Sequence, residues 1–321
     1  MGRRGPGLQG GRVSHIRSAP AAKGAAARLY QWPGLLLTFT MIFWAGNAVA
    51  GRIAVGHIQP MQLVLLRWLV VILMLWPLYG GEVRRHWGDV RPQLVKITMM
   101  AFFGFTAFNA LYYLAAHTTT AVNIGILQGA IPVAVLIGAF LIYGTRPTLV
   151  QVGGVLVTVC GVLVVATGGR PLSLLQIDFN RGDLAMLAAC VFYALYTVAL
   201  RDRPSMSGAA FFTLVALIST LTSVPLAVAE AATSGFSLPT WQGWLVKLYV
   251  GIFPSCLAQL FFVRAVDLIG PGRTGVFVNL VPVFTAILAV ALIDEPFAAY
   301  HAVALALVIG GIWLAQRTPA S

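Results

Sequence analysis

Charge is what this chain has least of: 9% of its 321 residues are charged, and only nine are acidic. A soluble domain of this length needs far more polar surface to cover its core, so that class is excluded. The nine acids (Glu82, Asp89, Asp178, Asp183, Asp202, Glu230, Asp267, Asp294 and Glu295) all fall between apolar runs or at their ends. No carboxylate is expected near a bilayer centre, where a proton-coupled pump keeps its titrating group. Cysteine is scarce too. Cys160, Cys190 and Cys256 lie inside apolar runs, odd in number and without metal-ligand or disulfide-framework spacing, and read as small packing residues. Ten-residue strands of alternating hydrophobicity are missing, which excludes a membrane barrel. No nucleophile–base set or deep His/Asp cluster is visible, and His57, His117 and His301 sit near run ends. Catalytic residues, metal and cofactor are therefore all expected to be none.

Apolar sequence is what remains: 59% of residues are hydrophobic and the mean hydropathy is +0.87. Runs of about 20 such residues match a hydrocarbon core of roughly 30 Å at the helical rise. Without water there, each backbone amide must be satisfied within its own segment, so the runs are helices. Ten spans are expected, at 34–55, 60–79, 97–116, 120–142, 149–168, 184–201, 209–229, 244–265, 272–293 and 298–316. Residues 1–32 read as a basic, disordered cytoplasmic tail, with six Lys/Arg and no acid in the first thirty. Ala48-Val49-Ala50 mimics a signal cleavage site, but span 1 has a twin in the second half and is read as retained.

The net charge of +12 invites a nucleic-acid reading, but the basic residues cluster between spans, so no nucleic-acid partner is expected. With the N-terminus cytoplasmic, sixteen Lys/Arg fall on inside segments and three (Arg52, Arg170, Arg181) on outside ones. That bias places both termini inside and requires an even number of spans.

The second half echoes the first at a spacing of 149–150 residues. Pro132 and Pro282 each lie twelve residues before a polar loop, Gly144-Thr145-Arg146 or Asp294-Glu295-Pro296. Gly125 recurs as Gly275, Gly161 as Gly311, and Trp44 with Asn47 as Tyr193 with Tyr196. Five spans per half invert the second copy relative to the first. The expected fold is all-α and integral to the membrane, ten helices in two inverted five-helix repeats over 33–168 and 183–316. Such repeats are the architecture of secondary transporters, with substrate at their interface.

The chain also resembles the drug/metabolite transporter superfamily, specifically the ten-helix type with two EamA domains. The residues that carry this are Gly182-Asp183-Leu184 leading to Phe192-Tyr193-Ala194-Leu195-Tyr196, the approaches to Pro132 and Pro282, and Asp294-Glu295-Pro296. Gly310-Gly311 and Pro60 with Arg67 also fit. The resemblance implies export of small metabolites or drugs, often amino acids, across a bacterial inner membrane by alternating access. The chain departs from the family at Gly144-Thr145, where a Gly-Glu pair is usual.

Polar groups at mid-span are the candidate substrate-binding residues, because hydrocarbon penalises them unless something satisfies them. They are Trp44, Asn47, Asn109, Tyr112, Gln128, Tyr193, Tyr196, Ser255, Gln259 and Asn279. For each, interhelix hydrogen bonding or plain packing is the competing reading. Tyr112 and Tyr113 could instead belong to an interfacial belt. Pro132 and Pro282 each remove a backbone donor and are the hinge candidates. Arg67, about 10 Å deep at the helical rise, is expected to snorkel outward or pair structurally ahead of meeting a substrate carboxylate. Gly154 with Thr158, and Ala302, Ala306 and Gly310, form small-residue stripes that would pack span 5 on span 10.

The expected activity is export of small organic metabolites, with aromatic or apolar amino acids favoured by the aromatic, acid-free cavity. A multidrug exporter is the alternative, and an intramembrane enzyme or channel is disfavoured. The expected partners are a small-molecule substrate and the lipid bilayer, with monomer and homo-oligomer both open. With no deep carboxylate, the protein is expected to run as a facilitator down the metabolite gradient.

Overall fold

The computed structural model describes residues 30–170 and 180–316, so most of the basic tail falls outside the described residues. Nine helices there are long and apolar enough to cross a membrane, and a shorter apolar one follows. We number them α1 (Pro33–Ala54), α2 (Pro60–Arg85), α3 (Trp87–Ala115), α4 (Ala121–Tyr143), α5 (Leu149–Ala166), α6 (Arg181–Asp202), α7 (Gly208–Ser234), α8 (Trp241–Ile269), α9 (Arg273–Ile293) and α10 (Ala299–Ala315). This is a multi-pass membrane bundle in two five-helix repeats. Connections alternate between two ends: face A carries those after α1, α3, α5, α7 and α9, and face B carries the others.

Local chemistry sets the breaks. Pro33 and Pro60 open α1 and α2, where a missing N–H costs nothing. Thr120, Thr148, Ser207 and Thr240 cap α4, α5, α7 and α8 through their hydroxyls. Several helices outrun the expected spans. The segment 80–96 is largely helical, because hydropathy ends at the membrane surface while backbone hydrogen bonding does not.

The repeats share their irregularities as well as their helices. A π-helical stretch interrupts α3 at Phe102–Ala107 and α8 at Gly251–Leu257. A 3₁₀ turn interrupts α4 at Gln128–Ala130 and α9 at Val278–Leu280, each just before the hinge candidates Pro132 and Pro282. The left-handed cap that ends α4 is Gly144 (φ 67°), and the one that ends α9 is Asp294 (φ 51°).

Packing interleaves the two halves. The first helix of each repeat lies in the other: α1 against α8 and α9, α6 against α3 and α4. The most extensive pairs are α5 with α10 and α2 with α7. On the α5–α10 seam a Cβ at Gly154 would overlap the backbone of Gly311 and Ala315, and one at Gly311 would overlap Thr158 and Gly154. The buried face of α10 is Ala304, Val308 and Gly311. The expected stripe of Ala302, Ala306 and Gly310 is exposed instead. Small residues stand at both registers, which differ by one or two positions, and each position turns the helix by about 100°.

Candidate functional site

A buried polar cluster stands where α1, α2, α3 and α8 meet, centred on Arg67. This guanidinium is only 5% exposed and does not snorkel. Its Nε and Nη2 donate to Ser255 Oγ at 2.9 and 2.5 Å. Its Nη1 donates to Tyr113 Oη at 2.6 Å and to Asn109 Oδ1. Tyr113 passes the chain on, donating to Asn47 Oδ1 at 3.0 Å. The rings of Trp68 and Tyr113 lie 5.2 and 5.6 Å from the guanidinium carbon. Helix irregularity builds this cage. Ser255 lies within the π stretch of α8 and donates to Val250 O, five residues back, at 2.5 Å. Asn109 follows the π stretch of α3 and donates to Phe105 O. π-bulges of this kind are frequent at functional sites.

Three of the expected residues, Asn47, Asn109 and Ser255, thus gather around Arg67. Trp44 joins through α8, its indole N–H donating to Pro254 O at 3.2 Å while its ring lies 5.3 Å from Phe262. Tyr112 and Tyr113 are both buried, so neither sits in an interfacial belt. Tyr193 and Tyr196 form a neighbouring aromatic wall, with Phe105 4.7 Å from Tyr196 and Phe108 5.2 Å from Tyr193. The remaining candidates stand apart. Gln128 and Asn279 occupy the 3₁₀ turns, Gln128 reaching back to Ile124 O and Asn279 donating to Gln316 Oε1. Gln259 is half-buried one turn beyond Ser255 and stays outside the network.

Face A holds a second polar region that sequence reasoning missed. Arg52 Nε lies 3.3 Å from Glu295, and Arg52 Nη1 donates to Ala116 O at 2.5 Å. Glu295 accepts from the backbone N–H groups of Ala121 (2.9 Å) and Val122 (3.1 Å), capping α4. One carboxylate therefore ties α1, α4 and the α9–α10 connection together. Beside it opens a pocket of about 440 Å³ lined by Arg52, His117, Thr119, Asn123, Asp183 and Tyr300 among others. Asp183 accepts from Thr119 Oγ1 at 2.5 Å and more weakly from Asn123. Burial and then the Arg52 charge hold the His117 imidazole below its ordinary range, against a smaller opposing effect of Glu230. Asp183 and Glu295 sit at span ends, as expected, yet both are buried. A position at a helix end did not reveal that a neighbouring helix start lay over them.

Two interleaved five-helix repeats with paired helix breaks around a buried polar centre define a secondary-transporter fold. Comparison with known proteins places the chain within that class. The profile of the EamA-like transporter family matches twice, over residues 31–167 and 180–316, and the chain belongs to this family, within the drug/metabolite transporter superfamily. Among its relatives is the uncharacterized transporter YetK of Bacillus subtilis (strain 168), 26% identical over 87% of this chain and 84% of that protein. An uncharacterized transporter of Archaeoglobus fulgidus is 27% identical over 87% and 96%. A solved crystal structure covers 88% of this chain and 96% of its own at a TM-score of 0.60 and 22% identity, a likeness of fold alone.

Proposed function

We propose that this protein exports small organic metabolites, foremost amino acids with aromatic or apolar side chains, by alternating access. The membrane is the bacterial inner membrane, with both termini cytoplasmic and face A outward, as the sixteen-to-three distribution of Lys/Arg supports. The observation that carries the reading is the pairing of breaks. The π stretches of α3 and α8 and the 3₁₀ turns of α4 and α9 occur in both repeats. The polar cluster draws on α1, α2 and α3 of one repeat and α8 of the other. Interrupted helices at a repeat interface are where carriers bind substrate and flex. Pro132 and Pro282 serve as the hinges.

Arg67 argues against the multidrug reading, because a buried cation repels a lipophilic cation. Counterflow into proteoliposomes tests the function. Saturable uptake of a labelled amino acid, accelerated by unlabelled substrate inside, is expected. Flux that rises linearly without such acceleration would indicate a channel and overturn the proposal. Trp44→Ala and Tyr196→Ala should each lower counterflow at normal membrane abundance, and unchanged flux in both would remove them from the site.

A further inference from the structure

Among the described residues, Arg67 carries a deep positive charge with no anion of its own. The two ion pairs among the described residues are Arg52–Glu295 and Lys96–Asp202, and neither involves it. Its hydrogen-bond acceptors are neutral oxygens, and they are already committed. Ser255 Oγ receives two of its N–H groups and gives its own proton to Val250 O. Tyr113 Oη receives one and gives its proton to Asn47. The Ser255 and Tyr113 hydroxyls thus both donate away from the guanidinium, as dipoles orient around a cation.

Neutral dipoles offset only part of the cost of removing such a charge from water, and a counter-charge is the largest contribution still missing. One N–H on Nη2 has no acceptor, as the four contacts account for the other four. One more polar atom of the same cluster, Trp68 Nε1, is buried without a partner. Lipid headgroups cannot supply the anion, since Arg67 is enclosed among α1, α2, α3 and α8. Aromatic side chains dominate the surroundings: the Trp68 and Tyr113 rings flank the guanidinium at 5.2 and 5.6 Å, and Phe105 packs edge-on against Trp68 at 5.2 Å.

We infer that Arg67 is the recognition point for the carboxylate of an organic substrate whose apolar body lies against these rings. A guanidinium offers paired donors in the geometry a carboxylate accepts, which selects carboxylates over their amides and esters. The substrates this favours are monocarboxylates, free amino acids included, with an aromatic or branched apolar body. The role of this contact in transport rests on the carrier reading above; the binding itself does not.

The experiment compares matched pairs on the purified full-length protein in a chloride-free buffer. Thermal unfolding is followed with 3-phenylpropionate and L-phenylalanine, with their carboxamides, and with chloride alone. The two carboxylates are expected to raise the midpoint with concentration, and the amides and chloride to leave it in place. Arg67→Lys should weaken carboxylate binding by about tenfold or more, the scale of one lost charge-assisted hydrogen bond. Arg67→Gln should abolish the difference between acid and amide. Should Arg67→Gln not fold, Tyr113→Phe answers instead. It removes one acceptor but keeps the cation, so discrimination is expected to persist or sharpen despite a lower baseline midpoint. Equal shifts or no shift for acids and amides, full reproduction of the effect by chloride, or unchanged discrimination in folded Arg67→Gln would each overturn the assignment. Discrimination without counterflow would uphold it and remove the carrier reading. Counterflow of carboxylate-free compounds only would do the reverse.

Discussion

The two faces of the molecule are built from the same plan and held by different means. On the α2–α7 pair the plan is kept at both ends. Glu230 near the end of α7 accepts from Met61 N–H (2.9 Å) and Gln62 N–H (3.0 Å), capping α2. Glu82 near the end of α2 accepts from Ser207 N–H (2.9 Å), just ahead of α7. On the α4–α9 pair the plan is kept only at face A. Arg52 and Glu295 there have counterparts at face B 149–150 positions away, namely Arg201 and Thr145. Thr145 is exposed and cannot replace a carboxylate, and α9 starts without any side-chain cap. Arg201 lies instead over the Tyr143 ring at 4.7 Å. At this end of the α4–α9 pair the contacts are Lys96–Asp202 and Tyr143 donating to Asp202, at exposed or half-buried positions. Such exposed pairs contribute little, about 0–1 kcal/mol each. One acid-to-threonine difference thus separates the two faces, with a buried carboxylate that pairs and caps at face A and none at the matching place on face B; in the proposed carrier, face A is the firmer closure.

Glu295→Ala should break this comparison most. It leaves Arg52 and two backbone N–H groups of α4 without their anion, a loss on the order of 3 kcal/mol. Cysteine reporters in the face A pocket, such as Thr119→Cys, should become reactive to a thiol reagent added from that side. Gly311→Ala is the contrasting case. Its Cβ overlaps Thr158 and Gly154 on a seam that both closures share, so it should cost about 2 kcal/mol by overpacking. Unfolding in detergent should report that loss while reporter accessibility at both faces keeps its wild-type ratio. Thr145→Glu restores the missing acid and should stabilise a closed face B by about 1 kcal/mol, the scale of a helix cap. Face B reporters should become protected and face A reporters exposed, opposite to the preference that the firmer contacts at face A imply.

Acidification gives the smallest effect. The His117 value is depressed on folding, so protonation favours the open or unfolded chain. Its contribution is complete above the ordinary histidine range and is lost as pH falls through that range toward the depressed value. Face A reactivity should rise slightly over that interval, and His117→Gln should flatten the profile.

Much of the fold was legible because a bilayer forces helices of one length and the repeats supplied their own check. Ten spans, their inversion and the α5–α10 seam followed from hydropathy, an odd count per half and small residues. The register of α10 did not follow, since Ala302–Gly310 and Ala304–Gly311 both offer small stripes and only tertiary contact chooses between them. Within the site, Asn47, Asn109 and Ser255 were found because polar side chains at mid-span are costly. Their convergence on Arg67 was not, because a cation one-third of the way into a helix reads as a snorkelling one until its neighbours are seen. The π stretches carry no distinctive composition. Glu295 and Asp183 looked solvated at span ends because the helix starts they serve, at Ala121 and Thr119, are remote in sequence.

Sided labelling at the centre tests the account most directly. In a background without native cysteines, Asn47→Cys is exposed to a membrane-impermeant thiol reagent from one side at a time. Reaction is expected from face B in the otherwise unchanged protein. It should shift to face A when Glu295 or the Thr145 position is altered as above. Equal reaction from both faces at once, or reaction from face A that neither substitution changes, would contradict alternating access with its firm closure at Arg52 and Glu295.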